Sequence, residues 1–311
     1  MKIIVYLEAG TPHHKNYDGM TRMCKLYTIN FELTHSLDRI CEDNYDILWC
    51  NVNFVEPNKI PERIKIIYGP QMFIFPSGPI VGPLDTTLVG RCVYNTLSKW
   101  NEGIIRECVP ELRMPIVQFP FPVDTERFVP TDINKTLDCI VYYKHRNPKL
   151  FQSVLQILQE KKISYKVFQY GSYKETEYLE ALQQTKFMIS IDAHESQGFA
   201  LEEAMACNIP LLVLDASSMY DEMYSENAPV YSYQYPKKLL ATSVPYWSNE
   251  CGIKITTIEE FPKAFEYMLE SYHIFTPRNY ILDNLSDEVC MRRILTHFNI
   301  PIPEKHENSH T

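Results

Sequence analysis

The sequence predicts an α/β protein of two doubly wound domains with a cleft between them. Seven short apolar runs read as strands buried on both faces. Segments of helical character separate several of them, and strand alternating with helix makes parallel sheets. The chain has 311 residues, which favours two domains of ordinary size over one.

The strands expected in order are KIIVYL (2–7), YDILWCN (45–51), IKIIYG (64–69), DCIVYY (138–143), YKVFQYG (165–171), KFMISID (186–192) and PLLVLD (210–215). Helical patterns cover 148–162 and 175–185. Proline-rich PIVQFPFPVDTERFVP (115–130) reads as an extended, semi-rigid connection rather than another strand. It separates a first domain, 1–122, from a second, 123–285. An amphipathic helix at 287–298, within a C-terminal segment 286–303, packs back on one of them, and 304–311 reads as a disordered tail. Two doubly wound sheets facing each other place their C-terminal strand ends at one cleft, where such folds bind ligands.

A hydrophobic fraction of 45% with 22% charged residues suits a globular protein with a core. The net charge is −9 and the pI about 5.5. Neither nucleic acid nor an anionic membrane is then a general partner, and any phosphate site must be a local basic cluster. The 9 cysteines stand singly without metal-like spacing, as expected of reduced cytoplasmic thiols. Met1 to Gly10 reads as a first strand rather than a leader peptide. Ile66 to Leu84 is uncharged and long enough to span a membrane, but Pro70, Pro76, Pro79 and Pro83 argue for a strand followed by a buried loop.

Two stretches carry chemistry. In ESQGFALEEAMACN (195–208) a helix begins at Gly198 or Phe199 and runs to about Cys207, with Asn208 as a left-handed cap before Pro210. Leu201, Ala204 and Met205 face the sheet, while Glu202 and Glu203 read as solvated acids that periodicity does not distinguish. Glu195 precedes the helix at the end of a strand, where a carboxylate can accept paired hydrogen bonds from the vicinal hydroxyls of a sugar. In KHRNPK (144–149) Asn147 is a good N-cap and Pro148 sits at the first helical position. Lys149 therefore occupies the end of the helix where the dipole penalises a cation by roughly 0.3–1 kcal/mol. A bound anion would remove that conflict; a basic loop held by surface ion pairs is the alternative. The glycine of YGSY (170–173) is a weak phosphate signal by itself.

ESQGFALEEAMACNIPLLV resembles the E-x7-E signature of the family-4 glycosyltransferases, and the count from Glu195 lands on Glu203. Lys144 and Lys149 resemble that family's Arg/Lys basic pair, with lysine where arginine is usual. Val123, Asp124, Phe128 and Pro130 resemble its interdomain motif. The resemblance implies the GT-B fold of two Rossmann-like domains, the acceptor on the first and a nucleotide-sugar donor on the second. It also implies a retaining transfer to a glycan or other hydroxyl acceptor, without a metal or other cofactor. Carried across, Lys144 and Lys149 neutralise the donor diphosphate with help from Arg146, Glu195 holds hydroxyls of the sugar, and Glu203 takes the ribose diol. Gly171 and the helix start at Ser196, Gln197, Gly198 and Phe199 complete the donor contacts. The chain departs from the family in its first domain. Only Gly10 stands where a glycine pair is common, and Gln71 falls where many members carry a histidine; His13, His14 and His35 are alternatives. A nucleotide-sugar-binding protein without catalysis, or a nucleotide-sugar epimerase, is the other reading. SVPYWSNECGIKI (243–255) has no readable role.

Overall fold

The computed structural model describes residues 1–70, 90–108, 112, 114–218 and 240–305. The chain forms two compact units, Met1–Pro122 with Leu285–Thr311, and Val123–Asn284.

The first unit is built on a parallel sheet. Its strands are β1 (Lys2–Tyr6), β2 (Asn30–Thr34), β3 (Ile47–Cys50), β4 (Lys65–Tyr68), β5 (Cys92–Thr96) and β6 (Ile116–Gln118), in the order β2-β1-β3-β4-β5-β6. Ile3, Ile4, Val5, Ile47, Leu48, Trp49, Ile66 and Ile67 are buried, as continuous apolar runs in a sheet covered on both faces must be. Helices α1 (His14–Leu26), α2 (Leu37–Glu42) and α3 (Lys99–Cys108) complete the crossovers among the described residues. The helix Asp287–His297 packs on α1 and buries Cys290, Met291, Ile294 and Leu295, the one-sided spacing of an amphipathic helix.

Three strands here, β2, β5 and β6, were not expected from the sequence. Residues Cys92–Thr96 are all buried although Asn95 and Thr96 interrupt the apolar pattern. The Asn95 amide substitutes for a backbone partner: its Nδ2 donates to Phe119 O at 3.1 Å and its Oδ1 accepts from Phe119 N at 2.7 Å. Ile116–Gln118, expected as part of a strandless connection, is an edge strand paired with β5. Its prolines fall outside the three paired residues, and Pro115 still offers its carbonyl to Tyr94 N at 2.8 Å.

The second unit also has a parallel sheet, with β7 (Leu137–Lys144), β8 (Tyr165–Gln169), β9 (Thr185–Asp192), β10 (Leu211–Leu214) and β11 (Gly252–Ile255) in the order β11-β10-β9-β7-β8. Its helices include α4 (Pro148–Glu160), α5 (Glu175–Gln184), α6 (Phe199–Ala206) and Phe261–Ser271. Val141, Val154, Leu158, Ile189, Leu212, Phe261 and Phe265 share one core. Although its apolar run predicts burial on both faces, β8 is an edge strand and buries only Phe168. The stretch 243–255, unread in the sequence, supplies β11. A side chain at Gly252 would bring its Cβ to 2.1 Å from Leu211 O, so only glycine lets β11 close on β10.

All eight described cysteines are free, and seven are buried. Among the described residues no helix is long and apolar enough to cross a membrane. Beyond β4 the uncharged stretch ending at Leu84 lies mostly outside the described residues, as does Gln71.

Candidate active site

In the second sheet the chain runs outward from β7 to β8, then returns to place β9 on the other side of β7. The crossovers leave in opposite directions between β7 and β9, which makes this the topological switch point where such sheets usually bind ligands. The residues that close these two strands are register partners, Lys144 and Asp192.

From that edge the site assembles in a few residues. Lys144 Nζ donates to Glu195 Oε1 in a direct ion pair, each side chain 15% exposed. The ammonium also lies 4.5 Å from the centre of the Tyr170 ring, just past β8. Glu195 is fixed through its backbone, since its N–H donates to Thr242 O at 3.1 Å. Thr242 is in turn anchored by Asp215 at the end of β10, whose Oδ1 accepts from Thr242 Oγ1 at 2.9 Å and from Ser243 N at 2.7 Å.

The charges at this edge determine one another. Burial alone would lower the Lys144 pKa, but the Glu195 and Asp192 carboxyls outweigh it and hold the ammonium above its ordinary value. Burial would raise Glu195, but the opposed Lys144 charge and its hydrogen bond keep that carboxylate below the ordinary range. Burial, then the Lys144 charge, pushes the neighbouring His194 imidazole down to about 4. At neutral pH the site therefore holds a charged Lys144, a charged Glu195 and a neutral His194.

Lys149 stands in the first turn of α4 as expected. Asn147 caps that helix, its Oδ1 accepting from Lys149 N at 2.9 Å, and Pro148 takes the first position. The Lys149 side chain is exposed, and its ammonium meets no carboxylate among the described residues.

Arg146, expected at the donor, is turned inward. It is 3% exposed, its Nη1 donating to Asp192 O at 3.1 Å and its Nη2 to Asp215 O at 3.0 Å. These two bonds to strand-end carbonyls brace β9 against β10.

Helix α6 begins after Gly198, whose φ of +97° turns the chain from the loop into the helix. Ser196 and Phe199 are half-buried at its start, and Gln197 is buried. Tyr178 OH donates to Ala200 O at 2.6 Å and pins the first turn. Glu202 and Glu203, expected as solvated acids, are 1% and 4% exposed. The helix is enclosed on its second face as well, and Gln197 Nε2 donates to Glu202 Oε2 at 2.9 Å. Gly171 lies exposed at a φ of +75° just beyond β8, on the same edge of the sheet. In the first unit Gly10 lies exposed between β1 and α1 at a φ of +81°. His13 and His14 stand beside it with ring centres 4.8 Å apart, and His35 is tied to Leu7 O at 2.8 Å. Sequence reasoning passed over Asp192 and Tyr170; the signal was a charged and an aromatic residue ending apolar strands.

No protein-family model matches this chain, and no curated protein matches it. Solved structures do. A glycosyltransferase from Rickettsia africae covers 96% of this chain and 97% of its own, with a TM-score of 0.55 at 10% identity. Sucrose-phosphate synthase from Thermosynechococcus elongatus covers 96% and 98%, with a TM-score of 0.54 at 8% identity. The fold is of the GT-B type. A mutant of S. aureus TarM, solved with fondaparinux, alpha-GlcNAc-glycerol and UDP, covers 81% of this chain with a TM-score of 0.51 at 13% identity. This chain spans 55% of that TarM chain. At such identities the likeness concerns the fold.

Proposed function

We propose that this GT-B chain is a glycosyltransferase that moves a sugar from a nucleoside-diphosphate donor to a glycan or other hydroxyl acceptor, with retention and without a metal. The observation that carries it is the Lys144–Glu195 pair at the switch point of the second sheet, beside the starts of α4 and α6. A departing diphosphate needs positive charge close by, and preorganised charge at the leaving group is usually the largest catalytic term. Lys149 and Lys144 supply it, and helix starts favour phosphate. Glu195, kept ionised, accepts hydrogen bonds from hydroxyls of the transferred sugar. Glu203 takes the ribose diol, which requires the donor to approach α6 closely. Ser196 to Phe199 and Gly171 line the donor's path, and Gly10 with Gln71 belongs to the acceptor side. A cytoplasmic location agrees with the free thiols. The UDP held by the TarM structure supports a nucleotide donor.

A melting assay with UDP, ADP and GDP, followed by a hydrolysis screen of their common sugar conjugates, tests this reading. Nucleoside diphosphate at 100 times its dissociation constant should stabilise the chain by about 2.7 kcal/mol. Lys149→Ala should weaken binding by about 1.5–3 kcal/mol. Glu195→Gln should bind nucleotide yet turn over ~10²-fold more slowly. Binding without turnover of any donor would favour a non-catalytic nucleotide-sugar-binding protein. Activity abolished by EDTA and restored by manganese would refute the metal-free mechanism.

A further inference from the structure

We propose that Asp192 is a positioning residue of this site: as a neutral carboxylic acid it donates a hydrogen bond to the Glu195 carboxylate and sets how Glu195 meets the sugar. The role toward the sugar rests on the glycosyltransferase reading; the place of the proton does not.

Asp192 ends β9 with no exposure to solvent. Its Oδ1 accepts from Ala193 N at 2.7 Å, and among the described residues no donor reaches its buried Oδ2. The carboxyl is nevertheless in hydrogen-bonding contact with that of Glu195. Two carboxylates repel and have nothing to share, so the contact requires one proton between them. Among the described residues, Lys144 and Tyr142 from β7, His145 from the turn that follows it, His194 from the loop after β9, and Arg146 from the turn before α4 face the pair. Arg146 meets the Asp192 backbone carbonyl, not its carboxyl. Burial and the Lys144 charge push both His145 and His194 below the ordinary imidazole range, and among the described residues the cation paired with these two acids is Lys144.

Lys144 decides which acid keeps the charge. Its ammonium donates to Glu195, so Glu195 is the anion and Asp192 takes the proton. Burial agrees, pushing the Asp192 carboxyl well up; Lys144 opposes that, and the Glu195 charge adds to it. The resulting unit of cationic Lys144, anionic Glu195 and protonated Asp192 is neutral overall. It holds the Glu195 carboxylate from two sides and so fixes its orientation. Raising the pH through the Asp192 value would set two anions against one cation and disturb Glu195.

Infrared difference spectra of the whole chain against Asp192→Asn should show a protonated-carboxyl C=O band at neutral pH, lost in the variant and titrating away at alkaline pH in the native protein. Asp192→Ala should lower donor turnover by about tenfold, the equivalent of one charge-assisted hydrogen bond, with nucleoside-diphosphate affinity little changed. Asp192→Asn, whose amide can still donate to Glu195, should recover most of that loss and lose the alkaline limb of the rate profile. A carboxyl band unaffected by Asp192→Asn overturns the proposal, as does an asparagine variant as impaired as alanine. Should Asp192→Ala fail to fold, the infrared comparison decides alone. Absence of turnover with every donor would sink the glycosyltransferase reading while the band still reports on the proton.

Discussion

His194 shows how one buried charge site affects its neighbours. Its imidazole is pushed from 6.5 down to about 4 by burial and by Lys144, so the folded chain binds that proton less readily than the unfolded chain. A depressed folded value contributes stability that is complete above about pH 6.5 and is lost as pH falls toward 4. The full effect is on the order of 3 kcal/mol. Urea titrations at pH 7 and pH 5 should show a smaller loss on acidification for His194→Gln than for the native chain; equal losses would contradict the buried neutral imidazole. The adjacent glutamates divide their work differently. Glu202 is buried against Gln197, so Glu202→Ala leaves an amide without its acceptor and should cost about 1–3 kcal/mol of stability. It should leave nucleoside-diphosphate affinity nearly unchanged, whereas Glu203→Ala should weaken that affinity. Isothermal titration of the two variants checks the contrast, and the reverse order would sink the assignment of Glu203. A helical wheel shows both residues off the sheet-facing stripe; it does not show that a second layer covers them.

At the scale of elements, the switch-point edge depends on two helix starts. Asn147→Ala removes the cap of α4 and should cost about 1 kcal/mol in chemical denaturation, with Lys149 displaced as the first turn frays. Gly198→Ala tests the start of α6. A Cβ there would lie 3.5 Å from Glu195 Cβ, an ordinary contact, so the cost comes from the φ of +97° rather than from a clash. That strain amounts to roughly 1–2 kcal/mol. A loss far above this would mean that the loop carrying Glu195 had been displaced. Both helix starts were legible in the sequence, because caps and glycines act on their immediate neighbours. β2, β5, β6 and β11 were not. Asn95 completes its hydrogen bonds with a residue 24 positions away, and β6 is recognisable only once β5 is beside it.

At the scale of the molecule, two units with separate cores should give two responses to perturbation. Ile294 is fully buried in the helix that packs on α1, and Ile294→Ala should cost about 2–5 kcal/mol in the first unit. Nucleoside diphosphate should still raise the melting transition of the second unit in that variant. A ligand shift abolished by Ile294→Ala would show instead that the units unfold as one. Apolar runs, caps, the left-handed Asn208 and the glutamate spacing are local properties, and the sequence by itself determined the two parallel sheets and the neighbourhood of the site. Only the tertiary structure decided which charges meet there. Lys144 finds Glu195 across 51 residues, Arg146 turns inward to the ends of β9 and β10, and Glu202 and Glu203 are enclosed. Periodicity records which face of an element is apolar. What covers the other face, and which buried acid keeps its proton, depends on side chains brought together from distant strands.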